Sequence, residues 1–434
     1  MAATDGKKKH IVIIGGGIIG CTSAYFLSRH PSFDPQNHTI TLLEATKIAG
    51  GASGKAGGLL ALWAYPSSLV PLSYKLHKQL ADEHGGEERW GYRALHVGQI
   101  SCKGRRLEEP SKSSVKGKDG DMDGENGGGG EARVSLQKRT KEAMGKLKAA
   151  GMPADLDWVD PDCNPYYDEM GDPSTTAQVH PFQFTTAMAE LAKEKGVDVR
   201  IGASVSAINY SANGDSVESV TYEDKHNGNQ TKTIPATDVI ISAGPWTRSI
   251  YPQAPIAALR AHSVTIKPSR PISAYALFTQ IKLPAGFGQK ESGKLSRALR
   301  GEEIVTPEIY ARPKNEVYAC GEGDHLVPLP KSTDLVEVDE KRCQEVVDYV
   351  SAISDELRDG EVTARQACYL PNNTAGTGSP LVGHAGTKGL YIAAGHTCWG
   401  IQNAPGTGLL MSEFVFDGEA KSSKAKGLDP RNVM

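Results

Sequence analysis

Three glycines, Gly15, Gly17 and Gly20, form a Gly-x-Gly-x-x-Gly run directly after the apolar stretch His10–Ile14. Glycine at the first position permits a tight turn, and at the second it lets backbone approach a pyrophosphate. At the third it allows a helix to pack closely on the preceding strand. A helix opening at Ile18 offers unpaired N–H groups and a partial positive charge to phosphates. Glu44 ends the next β-type run, Thr39–Leu43, where a carboxylate holds ribose hydroxyls. Dinucleotide binding is the chemistry that suits these residues; the plainer reading is a structural turn with Glu44 as a surface charge.

Three further strings could carry chemistry. In Gly50-Gly51-Ala52-Ser53-Gly54-Lys55-Ala56-Gly57-Gly58-Leu59 the glycine density lets backbone lie against a flat ring or phosphates without Cβ clashes, and Ser53 and Lys55 can donate to anionic oxygens. The string Asp238-Val-Ile-Ile-Ser-Ala243-Gly244-Pro-Trp246 is a buried-type strand that delivers Ala243, Gly244 and Trp246 to a turn near a ribityl or phosphate group. The string Gly395-His396-Thr-Cys-Trp-Gly400-Ile401-Gln402-Asn403-Ala-Pro-Gly-Thr-Gly408 precedes an apolar helix. That helix N-terminus, aimed at the edge of a reduced ring, would stabilise negative charge on it. His396 is either a catalytic group or a hydrogen-bonding structural histidine.

The elements that must position these strings alternate between strand and helix. His10–Ile14, helix Ile18–Arg29 and Thr39–Leu43 make a βαβ opening. Thr185–Lys195 has helical periodicity closed by Gly196; Val197–Ile201 and Val205–Tyr210 read as strands. Residues 304–322 read as paired strands around Pro313-Lys314-Asn315, and residues 335–357 as one helix. Leu390–Ala394 is another apolar strand, leading toward a helix at about 408–417. Residues 103–135 hold almost nothing to bury and read as a disordered surface insertion. Residues 286–302 read as a second mobile loop or a lid over a substrate site. The strand–glycine–helix pattern recurs at both ends of the chain and near residue 240. One nucleotide domain gathered from 1–80, 180–250 and 360–434 accounts for this, with a largely antiparallel substrate domain from 81–179 and 251–359.

At 434 residues the chain is long enough for such a division. Its net charge of −3 provides no basic field and argues against nucleic acid as a partner. Seven dispersed cysteines with no Cys-x-x-Cys pair and no ligand-like spacing to histidine fit reduced thiols, and point to no metal site. No stretch approaches the roughly 20 apolar residues of a membrane span. The Met-Ala-Ala-Thr-Asp-Gly-Lys-Lys-Lys start lacks a signal-type apolar region, and the ending Arg431-Asn-Val-Met434 is not a peroxisomal address. A cytoplasmic protein is the expectation, with peripheral attachment to an organelle as the alternative.

The four strings, in this order, resemble the D-amino-acid oxidase, glycine oxidase and sarcosine oxidase superfamily over most of residues 9–420. Further family-like pieces are His180-Pro-Phe-Gln183, Val197–Val205, Ile309–Pro313, Arg365-Gln-Ala-Cys-Tyr-Leu-Pro371 and Ser379–Gly383. The Gln-Ala-Cys-Tyr-Leu-Pro string is most similar to a fungal and plant subgroup of FAD-dependent oxidoreductases. The resemblance implies an α/β fold: a Rossmann-like, glutathione-reductase-type FAD-binding domain assembled from discontinuous segments, plus an α+β substrate domain. It implies tightly bound FAD, held by Gly15, Gly17, Ile19, Gly20, Glu44, Ser53, Gly54, Gly57, Gly58, Leu59, Val205, Ala243, Gly244, Trp246 and the Gly400–Asn403 segment with Ile401 and Gln402. It also implies hydride transfer from a carbon bearing an amine to flavin N5, with O2 or another acceptor reoxidising the cofactor.

Two departures from the family pattern matter. Glycine oxidases place a carboxylate-clamping arginine just before the proline of the 365–371 string, because a planar guanidinium matches a carboxylate bidentately. Here that residue is Leu370, so either Arg312 or another cation takes the role or the substrate is not a simple amino acid. Cys368 falls where sarcosine-oxidase-like enzymes attach flavin through sulfur; it is a covalent anchor or a buried apolar cysteine. Those enzymes also place an oxygen-activating lysine in the strand near Tyr318, where this chain has none aligned and only Lys314 nearby. Tyr318 joins His396 and Arg312 as the catalytic candidates. The substrate expected is a small amine or amino-acid-like molecule. The competing expectation is a flavin-binding regulatory or interaction protein with little turnover, supported by the missing arginine. A second nucleotide site for a reductase would need another Gly-x-Gly-x-x-Gly, and none is evident.

Overall fold

The computed structural model describes residues 8–107, 151–288, 302–376 and 378–434. Strand Lys9–Ile14 lies inside a six-stranded sheet ordered Leu381–His384, Leu390–Ala394, Asp238–Ile241, Lys9–Ile14, His38–Glu44, Asp198–Ile201. All pairings are parallel except the first. A parallel sheet is covered on both faces, which is why Ile11, Val12, Ile13 and Ile14 form an unbroken apolar run, all buried. Asp238 is the polar exception, and it is compensated by Lys9 Nζ at 3.0 Å and by the Tyr391 hydroxyl, which donates to it at 3.2 Å. The strands come from widely separated parts of the chain, so this sheet is a discontinuous assembly.

The second large sheet has eight strands. Its order is Glu361–Asn373, Ile256–Lys267, Glu316–Cys320, Glu308–Arg312, Tyr275–Leu283, His96–Lys103, Tyr166–Gly171, with Glu303–Val305 also paired to Tyr275–Leu283. It is antiparallel apart from the Tyr275–Leu283 and His96–Lys103 pair. Strand Glu361–Asn373 falls in a segment expected with the nucleotide-binding part, yet it pairs along its length with Ile256–Lys267. The fold is therefore α/β, with a Rossmann-like parallel sheet and a mainly antiparallel one.

Three sequence expectations change. Residues 335–357 are not one helix. Asp339 caps Glu340–Ser351 by accepting from the Lys341 and Arg342 N–H groups, and Ser354 starts a second helix, Asp355–Arg358, by accepting from Leu357 N. The extended Ser354 backbone buries Ile353 and breaks the run. The helix expected from Thr185 begins at Pro181, so His180-Pro-Phe-Gln183 is its cap and first turn. The C-terminal helix begins at Gly400 rather than about 408 and runs to Asp417 through Pro405, Gly406 and Gly408. The 103–135 insertion from residue 108 onward, and the 286–302 loop between 289 and 301, lie outside the described residues.

Helix-breaking residues persist there because packing requires them. A Cβ on Gly408 would stand 2.6 Å from the Thr22 backbone, and one on Gly406 would stand 2.3 Å from Ser73 Oγ. Only bare backbone lets helix Gly400–Asp417 approach helices Ile18–Leu27 and Val70–His84 this closely. Pro405 has no N–H, so the Ile401 carbonyl loses its helical donor. His77 replaces it: Nε2 lies 2.9 Å from that oxygen, and burial holds the imidazole down at about 4, so it is neutral with Nε2–H donating. His77→Ala is expected to cost about 2 kcal/mol or more, from an unsatisfied carbonyl and a cavity. Thermal melts should show the largest fall for alanine and a smaller one for His77→Gln, which keeps a donor.

Candidate functional site

At the carboxyl ends of the parallel strands lies a cleft with about 1310 Å³ of space not filled by protein, part of it open to solvent. This is where ligands sit on open α/β sheets. Gly15, Gly17, Ile19, Glu44, Ser53, Val205, Ala243, Gly244, Trp246, His396, Gly400 and Ile401 all line it. Four strings scattered over 400 residues of sequence thus meet at one surface. Leu370, Pro371 and Cys398 also line it, as does Lys331.

The glycines divide into two kinds. Gly15 has a φ of 111° and Gly20 sits so close behind it that a Cβ there would be 2.0 Å from the Gly15 carbonyl oxygen. These two make the turn and seat the helix. A Cβ on Gly17 would meet only Ser53 Oγ at 3.2 Å, one on Gly400 only His396 Cβ at 3.8 Å, and one on Gly244 nothing within 4 Å. These three leave bare backbone facing the cleft, a cradle that side chains would fill. The Ile18 N–H donates to Ser53 Oγ at 2.9 Å, fixing the helix N-terminus at its rim. Glu44 accepts from the Gly16 N–H and the Thr46 N–H, each at 2.7 Å. Trp246 Nε1 donates to the Pro330 carbonyl at 2.6 Å, which brings Lys331 to the cleft wall.

Other expected site residues stand behind the cleft. A Cβ on Gly54 would lie 2.2 Å from the Ala49 carbonyl oxygen, one on Gly57 2.6 Å from the Tyr310 ring, and one on Gly58 2.0 Å from the Val179 carbonyl oxygen. Their small size serves close packing. Leu59 is buried in the same layer. Gln402 Oε1 accepts from the Ala61 N–H at 2.7 Å, and Asn403 Nδ2 donates to the Tyr65 carbonyl at 2.9 Å. Both brace the segment 61–65 rather than face the cleft.

Among the catalytic candidates, Arg312 does not offer its fork to the cleft. It donates to the Ala56 and Gly57 carbonyls, pairs with Glu316 at 2.9 Å, and lies over the Tyr318 ring. A carboxylate clamp needs two free parallel N–H groups, and these are engaged. His396 lines the cleft but is buried, with Nε2 3.0 Å from Thr407 Oγ1, and burial pushes its imidazole down to about 3. It is neutral at physiological pH. Tyr318 is buried beside Cys368, its hydroxyl held far above the usual range by burial. Burial likewise pushes the Cys368 thiol up to about 11, opposed by the Lys55 charge nearby. Lys55 Nζ itself donates to the Ala367 carbonyl at 2.7 Å, so it touches the edge strand rather than an anion. Lys314 occupies the 313–315 turn of the Glu308–Cys320 hairpin with φ 62°.

Sequence reasoning passed over Glu308, Phe278, Trp63 and Trp399. In the antiparallel sheet Phe278, Glu308 and Cys320 form one cross-strand row. Glu308 shares one face of its strand with Tyr310 and Arg312, and an acid at that period-two spacing was the available signal.

This architecture, a Rossmann-like sheet whose glycine-rich cleft is joined by an antiparallel sheet, defines a flavoprotein oxidoreductase. The chain belongs to the DAO family of FAD dependent oxidoreductases, whose profile matches residues 10–414. It is 37% identical to "Putative oxidoreductase TDA3" of Saccharomyces cerevisiae over 98% of this chain and 94% of that one. It is 34% identical to "Putative oxidoreductase C1F5.03c" of Schizosaccharomyces pombe over 99% of each. Glycine oxidase from Geobacillus kaustophilus shares the fold with a TM-score of 0.64 at 16% identity, covering 97% of this chain and 98% of that one. L-Proline dehydrogenase from P. horikoshii does so with 0.62 at 18% identity, covering 98% and 97%.

FAD is therefore the cofactor, and the bare-backbone cradle fits it. Gly17→Val is expected to fold, because its Cβ meets only Ser53 Oγ, yet to lose FAD from the purified protein, measured as absent visible absorbance. Gly20→Val, facing the Gly15 carbonyl, should instead fail to fold. A second expectation concerns pH. His77 and His180 are held at about 4 and His396 at about 3, chiefly by burial, against about 6.5 unfolded. Below pH 6.5 the unfolded chain takes up protons that the folded chain refuses. Stability is therefore full above pH 6.5 and falls as pH drops toward 4, by up to about 1.4 kcal/mol per unit for each histidine. Melting temperatures measured from pH 8 to pH 5 should decline below 6.5.

Proposed function

We propose that the protein oxidises the C–N bond of a small amine or amino-acid-like substrate by hydride transfer to N5 of its FAD. The observation that carries this reading is the joining of cleft and sheet: Leu370 and Pro371 of the edge strand line the same cleft as Gly17, Ser53 and Gly400. Solved structures of the same fold are named glycine oxidase, L-proline dehydrogenase and amino acid oxidase, which supports C–N chemistry. Bound FAD supplies the two-electron acceptor that side chains lack.

The chain's own residues supply position and charge. In this reading the backbone at Gly15, Gly17, Ile19 and Gly244 holds the pyrophosphate, with the N-terminus of helix Ile18–Leu27 behind it. Glu44, already oriented by Gly16 and Thr46, takes ribose hydroxyls. Ser53, Val205, Ala243 and Trp246 complete the walls. Helix Gly400–Asp417 begins at the cleft, so its first N–H groups at Gly400 and Ile401 stabilise negative charge on the ring edge. Leu370 and Pro371 exclude water from the reacting face. His396, neutral and tied to Thr407, orients the turn that carries Cys398. Cys368 is the proposed covalent anchor, and O2 or another acceptor takes the electrons onward. No helix among the described residues is long and apolar enough to cross a membrane, and a cytoplasmic location is part of this reading.

One observation favours a second reading, a flavoprotein with little turnover: Leu370 stands at the family's clamp position and the Arg312 donors are engaged elsewhere. A panel of amines and amino acids mixed anaerobically with the protein separates the two. Bleaching of the flavin band by one class of amine supports catalysis; a reducible flavin that none of them bleaches supports the binding protein.

Acid precipitation tests the anchor. Yellow colour is expected to stay in the pellet for the parent protein and to move to the supernatant for Cys368→Ala. Colour in the supernatant for both would remove Cys368 from the proposal while leaving FAD in place.

A further inference from the structure

Glu308 is a half-buried carboxylate that accepts from a hydroxyl and a thiol and meets no cation among the described residues. Its Oε2 accepts from the Tyr310 hydroxyl, and the Cys320 thiol lies 3.9 Å away. No lysine, arginine or histidine among the described residues pairs with it. Burial raises its pKa, and the Tyr310 hydroxyl, itself far above its usual range, stays protonated as donor. The buried acids Asp238 and Asp324 each have a compensating cation, Lys9 at 3.0 Å and Arg260 at 3.2 Å. An unpaired carboxylate in a site of low polarity is costly, and that cost is removed when a ligand brings the cation.

The surroundings suit a cation. Phe278 is the cross-strand neighbour of Glu308. Its ring lies 6.3 Å from Tyr310 and 6.0 Å from Trp63, and Trp63 lies 5.5 Å edge-on to Trp399. Tyr65 closes the row 6.1 Å from Trp399. Trp63 and Tyr65 are 39% and 48% exposed, an unusual outlay of aromatic surface unless something covers it. Aromatic faces attract organic cations, the more so when water is excluded. The group adjoins the cofactor cleft through Cys398, which lines that cleft, lies within electrostatic reach of Glu308 and is followed directly by Trp399.

We propose that Glu308, with the aromatic wall of Trp63, Phe278 and Trp399, recognises the ammonium group of a cationic amine, so that the substrate class is an organic amine without an obligatory carboxylate. This rests on the C–N oxidation reading and narrows it. It also suits Leu370: the cleft wall carries no guanidinium at that position to repel a cationic ligand. Glu308 and Trp63 here determine specificity by contacting substrate; Tyr310 positions the carboxylate.

The test uses the full chain with its FAD and two unreactive probes, benzyltrimethylammonium and benzoate, equal in ring but opposite in charge. Tryptophan fluorescence reports entry into the wall, and the visible band independently reports flavin content and perturbation. The expected result is saturable binding of benzyltrimethylammonium and none of benzoate. Glu308→Gln, which keeps an acceptor for Tyr310, should weaken the cation about tenfold or more with flavin content unchanged. Trp63→Leu, at an exposed position that leaves folding intact, should weaken it by a smaller factor. Binding of benzoate in preference to the cation, or a Glu308→Gln protein that binds the cation as the parent does, overturns the inference while leaving the flavin reading standing. A parent protein without a visible band even after reconstitution overturns the flavin reading, and this inference with it.

Discussion

Everything in this molecule hangs on a backbone contact that side chains would forbid. The Gly15 carbonyl oxygen occupies a point 2.0 Å from where a Cβ on residue 20 would stand, and Gly15 itself turns through a φ of 111°. That contact lets helix Ile18–Leu27 start at the end of strand Lys9–Ile14 and directs its first N–H groups into the cleft. Move the helix outward by the width of a methyl group and three things go together. Ser53 no longer meets the Ile18 N–H, Glu44 no longer meets Gly16, and the bare backbone at Gly17 no longer faces the cleft.

The same constraint reappears from the far end of the chain. Helix Gly400–Asp417 reaches helix Ile18–Leu27 through Gly408, whose missing Cβ would lie 2.6 Å from Thr22. The Thr22 hydroxyl lies 2.9 Å from the Ala404 carbonyl oxygen across that gap. A proline and two glycines inside this helix weaken it as an isolated segment. Close packing and the His77 hydrogen bond offset that weakness. The result is a helix N-terminus delivered to the cleft from almost 400 residues away in sequence, where its partial charge can act on a bound ring.

The second sheet brings a different kind of chemistry. It places Tyr310 against Gly57 and ties Arg312 to the Ala56 and Gly57 carbonyls, so the cation expected to clamp a substrate instead holds the glycine-rich 50–58 segment against this sheet. What remains beside it is acidic and aromatic: Glu308, with no cationic partner among the described residues, and Trp63, Phe278 and Trp399. An electrostatic environment of this sign suits a positively charged ligand and opposes an anionic one.

The sequence by itself determined the βαβ opening and the cofactor cleft, because those depend on local rules. A glycine run between a strand and a helix has few conformations open to it, and an unbroken apolar strand must be buried on both faces. So Gly15, Gly17, Glu44, Ser53, Val205, Ala243, Gly244, Trp246, Gly400 and Ile401 were all legible, and all line the cleft. Element boundaries that depend on distant partners were not. Residues 400–407 look non-helical until Ser73, Thr22 and His77 are seen around them, and the break at Ser354 depends on burying Ile353. Which cation faces a substrate was likewise decided only by tertiary structure. Nothing local to Arg312 reveals the Ala56 and Gly57 carbonyls more than 250 positions away, and nothing local to Glu308 reveals tryptophans at 63 and 399. Charge compensation is a property of what meets in space, and a one-dimensional pattern carries it only when the partners are neighbours in the chain.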